Sequence, residues 1–136
     1  MFYIDVCEAK RISLVSFHGE LSVQDFAELD RLAREWNSPQ GVHSIYDLTG
    51  VEVNALFTEF AAKRGQLPQT FKGYERLYVV PQGVLRRLVR LYIDSQAAQG
   101  ERPPILVTTL DEALQRLGAE RSEFRRLVGA PPSERS

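Results

Sequence analysis

The chain has 136 residues, 43% hydrophobic and 26% charged, with 17 Lys and Arg against 18 Asp and Glu for a net charge of −1. That length predicts one domain with a real core, and a charge near zero excludes the broad basic field that general nucleic-acid binding needs. One cysteine, Cys7, excludes an intrachain disulfide framework and fits a reducing compartment; with no basic leader and no bilayer-length apolar run, the expected location is the cytoplasm.

Residues 2–6 form a short apolar, strand-like run, and Glu8-Ala9-Lys10 breaks it. A second strand follows over 11–18, where Ile12, Leu14, Val15 and Phe17 lack a clean alternation, as in a strand buried on both faces. So short a connection predicts an antiparallel hairpin. After Gly19, Ser22 is a good N-cap with Asp25 three residues on. Phe26, Leu29, Ala33 and Trp36 then recur at helical spacing until Pro39 and Gly41.

The next strand, 42–48, is central. An apolar run ends in Asp47, and a Thr49-Gly50 turn follows. Strand, helix and strand in this order predict a right-handed crossover with parallel strands. Asn54 is placed to cap a second helix with Leu56, Phe57, Phe60 and Ala61 on its apolar stripe, closed by Gly65. A loop over 66–73 carries Leu67, Pro68 and Phe71.

Residues 76–80 read as another buried strand, and a third helix runs from about Gly83 to Ala98 with Leu85, Leu88, Val89 and Tyr92 on its core face. The last strand is 105–107. Thr109 with Glu112 forms the clearest capping box in the chain, opening a helix with Leu110, Ala113, Leu114 and Leu117 buried and Gly118 at its end. A short terminal helix is expected over 121–128, and residues 130–136 read as a polar, disordered tail after a single domain over 1–129. The expected fold is α/β, with one mixed, mostly parallel five-stranded sheet, an antiparallel first strand and the order β-β-α-β-α-β-α-β-α-α.

Three stretches carry a resemblance. Phe17-His18-Gly19-Glu20-Leu21 is similar to the Gly-x-Leu turn of STAS domains. Tyr46-Asp47-Leu48-Thr49-Gly50-Val51 resembles their Asp-Leu-Ser-Gly-Val segment, and 108–118 resembles their closing strand-helix unit. Over residues 2–118 the chain resembles the SpoIIAA-like proteins of that family, which are also compared with CRAL-TRIO lipid-binding domains. The resemblance implies a bacterial, non-enzymatic signalling module that engages a protein partner. One departure stands out. Where STAS antagonists carry a phosphorylatable Asp-Ser-Ser-Gly, this chain has Ala55-Leu56-Phe57-Thr58, so the usual phosphoserine switch is missing.

Ligands of open α/β sheets bind at the carboxyl edge of the parallel strands. His18, Asp47, Thr49, Pro81, Thr108 and Thr109 fall near it; Asp47 and His18 would flank a shallow site there with help from Thr49, Asn54 and Thr58, and Phe57, Phe60 and Phe71 could line an adjoining pocket or self-association surface. Asp, Asn and Thr also serve turns and caps for purely local reasons. Two readings follow: a module that binds a protein partner, itself included as a homodimer, or a carrier of a small hydrophobic, lipid-like ligand. Arg86, Arg87 and Arg90 mark a possible anion site, and Arg121, Arg125 and Arg126 a second basic cluster; a solvated helix face accounts for either. No catalytic set, metal site or cofactor loop is expected. Cys7 and His18 belong to opposite ends of the hairpin, Cys7 and His43 lack a third orienting group, and no phosphate-binding glycine loop occurs.

Overall fold

The structure is a computed structural model that describes residues 1–36, 42–52, 75–81, 83–98 and 104–129. Strand β1 (Phe2–Cys7) and strand β2 (Ile12–Gly19) form the expected antiparallel hairpin, with Phe2 opposite Phe17 and Cys7 opposite Ile12. Helix α1 (Val23–Trp36) starts on a reciprocal box. The Asp25 amide donates to Ser22 Oγ at 3.1 Å, and the Ser22 amide donates back to Asp25 Oδ2 at 2.9 Å. Burial alone would push the Asp25 carboxyl up, but the Ser22 amide and the N-terminal ammonium outweigh it and hold the group below the usual carboxylate range.

Strand β3 (His43–Val51) lies parallel to β2, and β4 (Arg76–Val79) lies parallel to β3. After helix α2 (Val84–Ala98), the short β5 (Ile105–Val107) adds in parallel to β4. Helix α3 (Leu110–Arg116) is capped by Thr109 Oγ1, which accepts from the Glu112 amide at 3.2 Å. The Glu112 carboxylate reaches the Thr108 amide, one residue before the position a full capping box would use.

The mixed, mostly parallel α/β sheet with an antiparallel hairpin is the expected architecture, but among the described residues it has six strands, not five, in the order β5-β4-β3-β2-β1-β6. The terminal helix expected over 121–128 is instead a 3-10 turn (Arg121–Glu123) followed by β6 (Arg125–Val128), antiparallel to β1. The spacing of Phe124, Leu127 and Val128 fits a helix, but the outer edge of β1 supplies a ladder of backbone partners that a helix would leave open. The expected helix after Asn54, the loop to residue 73 and the tail beyond 129 lie outside the described residues.

Alternation along the strands sorts the core onto two faces. Ile4, Val15, Phe17, Tyr46 and Tyr78 pack on one face with Leu29 of α1 and with Val89 and Ile93 of α2. Its aromatic centre is tight: the Tyr46 and Tyr78 rings meet edge to face at 4.9 Å, and Phe17 stacks on Tyr46 at 6.3 Å. The other face is aliphatic, where Leu14, Ile45, Leu77 and Val79 pack under Ala113 and Leu114 of α3. At the N-terminal end of the parallel strands the aromatic face becomes polar. Ser13 pairs with Ser44 in register and both are buried; Arg76, next in that row, donates to Gln96 Oε1 at 2.9 Å.

The C-terminal segment is tied to the hairpin by charge. Asp5 is 3% exposed, and each of its carboxylate oxygens is taken by an arginine: Arg126 Nε at 2.7 Å and Arg121 Nη2 at 3.1 Å. Lys10 Nζ donates to Gly118 O at 2.6 Å and to Glu123 at 2.8 Å, and Arg125 pairs with Glu8. The basic cluster of Arg121, Arg125 and Arg126 is therefore neither a solvated helix face nor an open anion surface. At the end of β6, Gly129 has φ +81°, and a Cβ there would lie 2.7 Å from the Phe2 carbonyl. Glycine is what lets the strand close on β1.

Candidate functional site

β3 does not turn at Thr49-Gly50 as expected; it continues to Val51 through a bulge. The register with β2 passes from Ser16 opposite Asp47 to His18 opposite Gly50, so β3 carries one extra residue there. Packing shows the same shift, because Leu48 and Val51 reach the same core face although they are three apart. The sequence explains the bulge locally. Asp47 Oδ1 accepts from the Thr49 amide at 3.0 Å and from Thr49 Oγ1 at 2.7 Å, which turns the backbone out of the ladder. Gly50 then closes the strand back on β2, since a Cβ there would stand 2.9 Å from the Phe17 carbonyl and 3.3 Å from the His18 Cβ.

A shallow, open depression of about 570 Å³ lies over this bulge. Its floor is one row across three strands, with Tyr3 opposite Ser16 and Ser16 opposite Asp47. Phe17, His18, Gly19, Thr49, Gly50 and Glu52 also line it. The Tyr3 and His18 rings stand 6.0 Å apart, and the Arg126 guanidinium lies over the Tyr3 ring, 4.5 Å from its centroid.

Asp47 spends only Oδ1 on the bulge; Oδ2 receives no hydrogen bond from any described residue. Ser16 is 6% exposed, lines the depression, and its hydroxyl bonds to no described residue. The floor thus offers a carboxylate oxygen, a seryl hydroxyl and a tyrosine ring, with a second carboxylate, Glu52, at the exposed rim. Polar groups left uncommitted beside an open cleft are ready to bind.

The structure brings His18, Asp47 and Thr49 to one place, as the edge argument requires. His18 and Asp47 line the same depression without a hydrogen bond between them, since the Asp47 bonds go to Thr49. Asn54, Phe57, Thr58, Phe60 and Phe71 lie outside the described residues. Arg86 is used structurally, donating to the Val80 carbonyl at the end of β4 at 3.0 Å, while Arg87 and Arg90 are exposed on α2. Cys7 is buried, and Ile12 stands between it and His43 in register, so two strand spacings, roughly 10 Å, separate the two backbones. Among the described residues no cluster of His, Cys, Asp or Glu could hold a metal ion, and no helix is long and apolar enough to cross a membrane.

Tyr3, Ser16 and Glu52 are site residues that the sequence reading passed over. Ser16 carried a signal, as a small polar residue inside the apolar run from Ile12 to Phe17. Tyr3 becomes visible only through the strand pairing that places it in the row of Asp47.

No protein-family model matches this chain, and no curated protein matches its sequence. Among solved structures, the chain is similar to the crystal structure of an anti-sigma factor antagonist from Mycobacterium paratuberculosis. The two share 20% identity over 87% of this chain and 93% of that one, with a TM-score of 0.49. At that distance nothing about partner or activity follows from the likeness.

Proposed function

We propose that this protein is a non-enzymatic interaction module that engages a protein partner, a second copy of itself included, through the carboxyl edge around Asp47. The observation that carries the reading is the combination at the bulge. Among the described residues nothing bonds the second Asp47 oxygen or the Ser16 hydroxyl, and both side chains line an open depression. The reading is recognition: no hydrogen bond joins His18 to Asp47, and the Thr49 hydroxyl and amide both donate to the same Asp47 oxygen, a local contact that holds the bulge. The same hydrogen bond argues against Thr49 as a phosphorylation switch. A phosphoryl group on Oγ1 would place new negative charge against the Asp47 carboxylate and break the bond that holds the bulge.

Glu52→Arg tests the reading, since it reverses a charge at the exposed rim and leaves the bulge intact. Native mass spectrometry of protein purified from its own cytoplasm is expected to show a heterocomplex or homodimer for the natural chain. The variant should be largely monomeric with unchanged circular dichroism. A complex that survives the substitution, or a monomer carrying a bound lipophile, would overturn it.

A further inference from the structure

We infer that the depression over the β3 bulge is a receptor for a single cationic group, a guanidinium or an ammonium. The inference rests on the reading of this edge as the binding surface and adds the chemistry of what it takes. Three independent features of the floor point to a cation. Asp47 Oδ2 is an acceptor with no described donor. Ser16 Oγ, on a residue 6% exposed, lines the cleft without a hydrogen bond to any described residue, so the hydroxyl is open to a ligand. The Tyr3 ring already takes a cation in this structure: Arg126, itself held by Asp5, lies 4.5 Å from its centroid.

Charge decides against the alternatives. Among the described residues the lining contains two carboxylates, Asp47 and Glu52, and no lysine or arginine; the Arg126 guanidinium beside Tyr3 has its charge paired with Asp5. An anionic ligand such as a phosphate or carboxylate would meet like charge at floor and rim. A purely apolar ligand would cover Asp47 Oδ2 and Ser16 Oγ without satisfying either, which is unfavourable for buried polar groups. A guanidinium satisfies both at once, because its fork of N–H donors can reach the carboxylate oxygen and the hydroxyl one strand spacing away, with the plane of the group beside an aromatic wall.

The shared chemistry has two sources, an arginine or lysine side chain of a partner protein or a free polyamine, and one titration series separates them. Backbone amide spectra of the purified protein are followed at about 0.15 M salt, where diffuse charge attraction is screened, with Nα-acetyl-arginine amide, its neutral isostere Nα-acetyl-citrulline amide, and spermidine. The arginine probe is expected to shift the amides of Ser16, Thr49 and Gly50 with a weak Kd, on the order of millimolar. The citrulline probe should bind at least about tenfold more weakly, the scale of one charge-assisted hydrogen bond. Asp47→Asn, which retains an oxygen for the Thr49 bulge, should weaken the arginine probe about tenfold, and Ser16→Ala should weaken it by a smaller factor.

Equal binding of arginine and citrulline probes, or shifts confined to acids elsewhere on the surface, would overturn the inference. If those results came with a complex that Glu52→Arg abolishes, the partner reading would stand and only the cation chemistry would fall. Spermidine binding more than about tenfold tighter than the arginine probe would support the cation site and assign it to free polyamine, overturning the protein-partner reading. Comparable or weaker spermidine binding would assign the site to a protein side chain.

Discussion

Two aspartates on the same face of the sheet have opposite fates, with Tyr3 between them. Asp5, two residues along β1 from Tyr3, is buried and has both oxygens held by arginines that arrive from the C-terminal segment. Asp47, two strands across from Tyr3, is half-buried and spends one oxygen on the amide and the hydroxyl of Thr49. The difference teaches how to sort acids in a fold of unknown function. A carboxylate whose acceptors are filled by distant residues joins segments, whereas one that satisfies only its local backbone keeps a remainder for something outside the chain.

The comparison breaks most visibly at Asp5. Asp5→Ala leaves Arg126 and Arg121 facing a buried gap. Because both arginines reach solvent, the loss is expected nearer about 2 kcal/mol than the 3–5 kcal/mol of a fully buried pair. It should appear as a lower urea midpoint with β6 amides losing protection first. Gly50→Ala comes next on the Asp47 side. Its new Cβ presses on the Phe17 carbonyl and the His18 side chain, a cost of about 1–3 kcal/mol, checked by thermal unfolding. By contrast Asp47→Asn, with an oxygen still available to Thr49, should change stability by no more than about 0.5 kcal/mol while weakening partner binding. If Asp47→Asn destabilised the fold as much as Asp5→Ala, the distinction between the two acids would collapse.

The smallest effect is a pH dependence at the surface of the latch. The Lys10 hydrogen bond and the Glu120 amide hold the Glu123 carboxyl below its usual range, and Glu123 in turn raises the Lys10 ammonium. A depressed folded-state carboxyl contributes stability above its unfolded pKa and loses it as pH falls through the folded value. The raised ammonium contributes below its unfolded value and loses that contribution as pH rises through the folded one. Amides of residues 118–124 should therefore exchange faster, after correction for intrinsic rates, below the ordinary carboxylate range and again in strong alkali. A Glu123→Gln variant should abolish the acid limb.

The strand–helix order and the parallel crossovers could be read from the chain because they rest on local periodicity, caps and breakers such as Ser22 with Asp25 and Thr109 with Glu112. What could not be read rests on pairings between distant residues. The run from Arg121 to Val128 has helical spacing, and nothing near it reveals that Asp5 and the edge of β1 will claim it. Thr49-Gly50 has the composition of a turn, and only the register with β2 shows that Asp47 converts it into a bulge within a continuing strand. The site follows the same division. His18, Asp47 and Thr49 stood out by residue type at the carboxyl edge, while Tyr3 and Ser16 enter it only through a row across three strands.

The contact between Asp5 and Arg126 spans 121 residues of chain, which has a consequence for how the protein is made. A ribosome working at about 5–20 residues per second needs roughly 6–24 s to supply Arg126 after Asp5. Throughout that interval β1 can pair with β2, but its outer edge stays open, with the buried acid unmatched and a row of backbone groups available to any other strand. The late β6 is therefore the step that covers the β1 edge and matches its buried acid, and a polypeptide released before it is complete keeps that edge open.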